Sequence, residues 1–152
     1  MAHYDLMKIY EVLDHTADIR IRIKAKDLKG LFENSALAMF DIMGQIAPIP
    51  YGPAAIEIKK FRFAVTQKAE DLEELFINWL NELLSLSAAK ELMFTDFIIN
   101  RLDKTNIEAE VYGEDIKNYK INTEIKAATY HELKLAEINS GWQAEVIFYV
   151  LN

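Results

Sequence analysis

The stretch Ile19-Arg20-Ile21-Arg22-Ile23-Lys24 alternates strictly between aliphatic and cationic positions. A period of two sends successive side chains to opposite faces, so this stretch predicts a strand with one buried and one basic face. Ile9-Tyr10-Glu11-Val12-Leu13 reads as a second strand just before it, and the short Asp14–Ala17 segment suits a hairpin-like connection. From Asp27 the period changes. Leu28, Leu31, Phe32, Ser35, Met39, Ile42 and Met43 recur at helical spacing, with Asp27 as N-cap and Gly44 as C-cap. Leu72, Leu75, Phe76, Trp79, Leu80 and Leu83 form a second apolar stripe. Glu70, Asp71, Glu73 and Glu74 complement the dipole at its start, which predicts a helix over about 71–88. Between the helices, Ile56 and Ile58 alternate with charges, and Phe61, Phe63 and Val65 resume one position out of phase, so a β-bulge at Lys59-Lys60 is expected. The remaining segments, 94–102, 107–112, 125–135 and 142–150, are strand-like.

Two helices followed by a run of antiparallel strands predict an α+β fold, with both helices on one side of a mostly antiparallel sheet. The cluster Pro48-Ile49-Pro50-Tyr51-Gly52-Pro53 is too short to separate two cores, so residues 1–152 are expected to form a single domain. The 152 residues and 51% apolar content suit an ordinary globular protein. The apolar runs fall well short of the roughly 20 residues of a membrane span. Met1–Tyr10 lacks an apolar signal core, and a cytoplasmic location without membrane contact is expected. There is no cysteine, which excludes disulfides, thiolate metal sites and cysteine nucleophiles. A net charge of −7 opposes autonomous nucleic-acid binding, which rests on phosphate neutralisation.

Two polar clusters could carry chemistry. In Asp14-His15-Thr16-Ala17-Asp18 the carboxylates flank a tight connection and could converge on one hard cation. The same residues equally suit an Asx-type turn with His15 packed beside it. In Lys126-Ala127-Ala128-Thr129-Tyr130-His131-Glu132, regular strand alternation would give Lys126, Ala128 and Tyr130 one face, from which Lys126 and Tyr130 could contact a phosphate or an acidic partner. His131 then falls in phase with Leu133 and Leu135, as a hydrogen-bonded core histidine. A solvated strand face accounts for Lys126, Glu132 and Lys134 equally well. There is no glycine-rich phosphate loop, no histidine pair at i, i+4 and no nucleophile elbow.

Taken together, Tyr10-Glu11-x-x-Asp14-His15-Thr16-Ala17-Asp18-Ile19 and Ile125-Lys126-Ala127-x-Thr129-Tyr130-His131 resemble the archease family. Ala38–Met43, Trp79-Leu80-Asn81-Glu82-Leu83-Leu84, Gly113-Glu114 and Trp142-Gln143-Ala144 resemble it in the same order, so the likeness covers nearly the whole chain. The resemblance implies a non-enzymatic accessory protein of the GTP- and metal-dependent RNA-splicing ligase that joins tRNA halves. Such a protein promotes guanylylation and repeated turnover of the ligase and meets RNA only indirectly. It further implies that Asp18 is a metal-binding aspartate and Lys126 a functionally required lysine, with Asp14, His15, Tyr130 and His131 in the same motifs.

The sequence departs from the family at one ligand. The second family aspartate belongs seven residues beyond Trp142, where this chain has Tyr149. A phenol with a pKa near 10 is neutral at pH 7. Calcium or manganese binding is therefore expected to be weak or absent unless Asp14, Glu145, Asn152 or a terminal carboxylate supplies the missing oxygen. Arg20, where the family usually has glycine, is expected to pair with Asp18 and weaken the cation site further. Two alternatives stand beside the ligase activator. One is a chaperone or modulator of another RNA-processing enzyme. The other is a small metal-dependent hydrolase using Asp14, His15 and Asp18.

Overall fold

The computed structural model describes residues 9–15, 18–46 and 59–151, with Asp14 and His15 described by backbone alone. Strands β1 (Tyr10–His15) and β2 (Asp18–Ala25) lead to helix α1 (Leu28–Met43), and β3 (Gly44–Ile46) and β4 (Lys60–Lys68) lead to helix α2 (Leu72–Lys90). There follow β5 (Leu92–Leu102), β6 (Asn106–Asp115), a 3-10 turn at Ile116–Asn118, β7 (Tyr119–Ile121), β8 (Glu124–Ile138) and β9 (Gly141–Leu151). The α+β class and the antiparallel pairing are as expected, but the strands divide among three sheets where one was anticipated. A four-stranded sheet runs β1-β2-β9-β8, a three-stranded one β4-β6-β5, and a two-stranded ribbon joins β3 to β7. Both helices contact both larger sheets.

Local chemistry fixes the helix ends. Asp27 accepts a hydrogen bond from the Gly30 amide at 2.7 Å, and Asp71 accepts one from the Glu74 amide at 2.8 Å. Glu74 reaches back to the Glu70 amide at 2.7 Å, which adds a second satisfied donor beside the N-cap. Helix α2 runs two residues beyond the expected end and closes on Glu91, a left-handed cap at φ 55°. Gly44 ends α1 in extended backbone and donates to the Phe40 carbonyl. A side chain there would put its Cβ 2.7 Å from the Lys120 carbonyl oxygen, so the close approach of β7 is what requires glycine.

The core lies between the helices and the sheets. Trp79, Phe32 and Phe76 are fully buried, with Phe32 edge-on to Phe76 at 5.2 Å between centroids. Trp79 donates its indole N–H to the Phe32 carbonyl at 3.0 Å, tying α2 to α1. Phe40 stacks on Phe97 and meets Phe94 edge-on, tying α1 to β5. In β2, Ile19, Ile21 and Ile23 are buried while Arg20, Arg22 and Lys24 face outward, as the alternation required. Lys60 pairs in regular register with Glu114, and β4 holds that register to Lys68. Ile56 and Ile58, on which the expected bulge depended, lie outside the described residues, as does the Pro48–Pro53 cluster. Among the described residues, no helix is long and apolar enough to cross a membrane.

Candidate functional site

The hairpin β1–β2 forms, with His15 opposite Ile19 and Asp14 opposite Arg20. Thr16, Ala17 and the side chains of Asp14 and His15 lie outside the described residues, so the expected convergence of Asp14 with Asp18 does too. Strand β2 pairs with β9 over eight unbroken rungs, from Ala25 opposite Trp142 to Asp18 opposite Tyr149. On its other side Tyr149 stands opposite Ala127 of β8. Asp18, Tyr149 and Ala127 therefore form one row across three strands, with Lys126 beside it. The register brings together the two clusters that lie near opposite ends of the chain.

Strand β8 is not regular here, and this corrects the faces expected from alternation. Its register shifts between Ile125 and Ala127, so Lys126 is a bulged residue. Ala128 is consequently buried with Ile125, while Lys126 is exposed. A larger break lies between Thr129 and Lys134, where four residues stand without partners on β9 and Glu132 takes a positive φ of 53°. His131 is exposed in this break and is not the core histidine that its phase with Leu133 and Leu135 suggested. Tyr130 is 55% exposed. Partial burial, then the negative charges of Glu74 and Asp71 at the start of α2, hold its phenol above the ordinary value.

The electrostatics around Asp18 also differ from expectation. Arg20 does not pair with Asp18. It donates to Glu145 at 2.6 Å, and Arg22 donates to the other Glu145 oxygen through both Nε and Nη2 at 3.1 Å. Arg22 also reaches Glu11 at 3.1 Å. A cross-strand carboxylate captures both guanidinium groups because β9 sets it on the same face, directly opposite Arg22. Burial alone would push the Glu145 carboxyl upward; hydrogen bonds from Arg22 and Arg20, with their charges, outweigh it and hold the group below the usual carboxylate range. Asp18 is left with a buried Oδ1 that has no hydrogen-bond partner among the described residues, and Arg20 with an unpartnered Nε. Lys126 meets Glu124 at 3.0 Å, but both side chains are about half exposed. Such a pair is weak and readily exchanged for another anion.

The orphaned oxygen of Asp18 is the feature that would suit a cation. The rest of the donor set does not fit one held tightly: Glu145 is occupied by two arginines, Tyr149 is a phenol, and a hard divalent ion takes six or more oxygens. Among the described residues, no group of three or more His, Asp or Glu side chains could hold a metal. Asn152 lies outside the described residues. Chemically the row offers a mobile ammonium for an anionic group, a carboxylate oxygen for a donor or cation, and exposed aromatic and aliphatic surface from Tyr130, Tyr149 and Leu151. A depression of about 510 Å³ lies at the opposite end of the sheet, beside Ala25 and Ser140, and takes in none of these residues.

Two residues have roles that the sequence reading did not assign, since it named Glu145 only as a possible cation ligand and Asn81 only within a motif. Glu145 carried a signal, as a lone acid within the apolar run of 142–150 facing a strand of alternating arginines. Asn81 of α2 carried a fainter one, as an amide inside an apolar helix. It accepts from the Ala128 amide at 2.8 Å and donates to the Ala128 carbonyl at 3.1 Å.

The sequence matches the Archease protein family (MTH1598/TM1083) over residues 10–150. It is 39% identical to protein archease of Methanosarcina barkeri over 146 residues, covering 92% of this chain and 94% of that one. It is 35% identical to protein archease of Pyrococcus abyssi, covering 93% and 98%. Among solved structures, protein 1598 of Methanobacterium thermoautotrophicum superposes with a TM-score of 0.70 at 28% identity, covering 94% of this chain and 99% of that one. An archease from Thermotoga maritima, described as a possible chaperone, shares the fold with a TM-score of 0.62 at 23% identity, covering 91% and 95%.

Proposed function

This chain belongs to the archease family, and on that premise we propose that it is an accessory protein that activates the tRNA-splicing RNA ligase, promoting its guanylylation and turnover. The observation that carries this reading is the single row of Asp18, Tyr149 and Ala127, with Lys126 bulged out beside it. A protein that remodels another enzyme's active site needs a few polar groups on an exposed edge, and this row has that form. Lys126, freed from the regular ladder and paired with the exposed Glu124, faces a phosphate or carboxylate of the ligase complex. Asp18 offers its free oxygen to a donor or a metal ion in the ligase. RNA is engaged through the ligase alone, and the protein carries no reaction of its own. Calcium or manganese binds the isolated protein weakly or not at all.

The test is multiple-turnover guanylylation and RNA joining by the cognate ligase, with substoichiometric amounts of this protein and its Asp18→Ala and Lys126→Ala variants. Acceleration by the parent chain that both variants lose is the expected result. A folded parent chain that gives no acceleration sinks the proposal. That result would favour a chaperone or modulator of another RNA-processing enzyme, a reading that Tyr149 supports.

A further inference from the structure

Among the described residues strand β8 is an edge of its sheet, so its outward backbone groups have no described strand to pair with. At Ala128 this poses a specific problem, because the residue is 4% exposed and water cannot easily serve its amide and carbonyl. Asn81 meets both groups with one side-chain amide, at 2.8 Å and 3.1 Å, as a neighbouring strand would. The helix that presents Asn81 is firmly held: Trp79, Leu80 and Leu83 are fully buried, and the Trp79 indole is anchored on α1.

The location of this clamp matters more than its existence. Between the two breaks in β8, only Ala127, Ala128 and Thr129 pair with β9. Ala128 is the middle of the three, two residues after Lys126 and two before Tyr130. The short segment is gripped by β9 on one side and by Asn81 on the other, while Lys126 and Tyr130 project from its irregular ends. We infer that Asn81 is a positioning residue, which fixes the segment between the bulges so that Lys126 and Tyr130 are presented to a partner in a defined place. The part of this inference that concerns the partner rests on the activator reading. The part that concerns the segment does not.

The experiment therefore has two arms. In the first, amide hydrogen exchange is followed by NMR on the free protein and on Asn81→Leu, which removes both bonds, and Asn81→Asp, which keeps only the acceptor. Exchange at Ala128 should accelerate about tenfold or more in Asn81→Leu, with protection in β2 and in β9 around Val146 changing by less than about twofold. Asn81→Asp should retain most of the Ala128 protection, and it keeps the arm usable if the leucine variant does not fold. Unchanged exchange at Ala128, or uniform acceleration across the sheet, would overturn the inference. In the second arm, maximal stimulation of the ligase is measured for Asn81→Leu, Lys126→Ala and the double variant. If Asn81 acts through Lys126, its substitution lowers stimulation in the parent background and adds nothing once Lys126 is gone; additive losses would reduce it to a structural residue. Absence of stimulation by the parent chain defeats the activator reading, and the exchange arm still decides whether Asn81 holds the segment.

Discussion

The outward faces of the two larger sheets handle charge in different ways. On the three-stranded sheet three cations each meet an acid of their own across the strands: Lys60 with Asp96 at 3.1 Å, Arg62 with Glu110 at 2.6 Å and Arg101 with Glu108 at 3.6 Å. On the four-stranded sheet Arg20 and Arg22 converge on the carboxylate of Glu145, with Glu11 a second partner for Arg22, and Asp18 has a buried oxygen without a partner among the described residues. One-to-one pairing makes a finished solvent face. Convergence on one shared carboxylate leaves Asp18 out of the pairing, and Asp18 lies in the row that the family motifs single out. Glu114 stands apart on the three-stranded sheet, buried with one oxygen unpartnered among the described residues, at the end beside the β3–β7 ribbon. Burial, then the charge of Glu114, holds the Tyr119 phenol above its ordinary value.

The contrast can be broken most strongly at Glu145. Replacement by Ala leaves Arg20 without its carboxylate and Arg22 with Glu11 alone, and should cost about 2 kcal/mol in urea unfolding, reduced from the fully buried case because both arginines reach solvent. It should also free Arg20 to pair with Asp18, so under the activator proposal ligase stimulation falls as well. Stability unchanged in this variant would show that the shared carboxylate is not what organises the face.

Tyr149→Asp sharpens the comparison from the other side, by adding a second carboxylate directly across from Asp18. Calorimetry should show calcium affinity rising about tenfold or more, since affinity for hard cations grows with the number of charged oxygen ligands. Equal affinity in both chains would mean that residue 149 does not face the ion.

A smaller effect is expected on acidification. The Glu145 carboxyl is held low in the folded state by Arg22 and Arg20, with Lys134 opposite it on β8. A depressed folded value contributes stability that is present above the unfolded value, near 4.3, and is lost as pH falls through the folded one. The unfolding midpoint should drop as pH is lowered from about 5, by less in Glu145→Gln than in the parent. The smallest effect belongs to the finished face, where Lys60→Ala or Asp96→Ala should change stability by less than about 1 kcal/mol and, under the activator proposal, leave ligase stimulation intact.

What the sequence disclosed follows from how locally each feature is encoded. The β2 alternation, the α2 stripe and the aspartate caps are written within a few neighbouring residues and appear in the structure where expected. Bulges are not written that way. Nothing at Lys126 or at 130–133 departs from a strand-forming composition, and even the positive φ is taken by a glutamate, so a regular alternation put His131 in the core. The partner of Arg20 was misread for a related reason: Asp18 is near in sequence, but Glu145 is near in space. The β3–β7 ribbon, three residues on each side, is too short to leave a periodic signal. The row itself was legible only as two motifs, and the pairing register supplied their meeting.

At Gly141 the chain enters β9 with φ 148°, and any Cβ there would collide with the Ala25 carbonyl oxygen. That contact nails the start of β9 to the end of β2, and the eight rungs that follow run without a slip. The glycine thus works as the zero mark of a ruler whose far graduation is position 149. Because a one-residue slip would turn every side chain of β9 over, the location of that graduation is set by the backbone, whatever side chain occupies it. A substitution at 149 then exchanges the chemistry of the site while the scaffold that delivers it stays put.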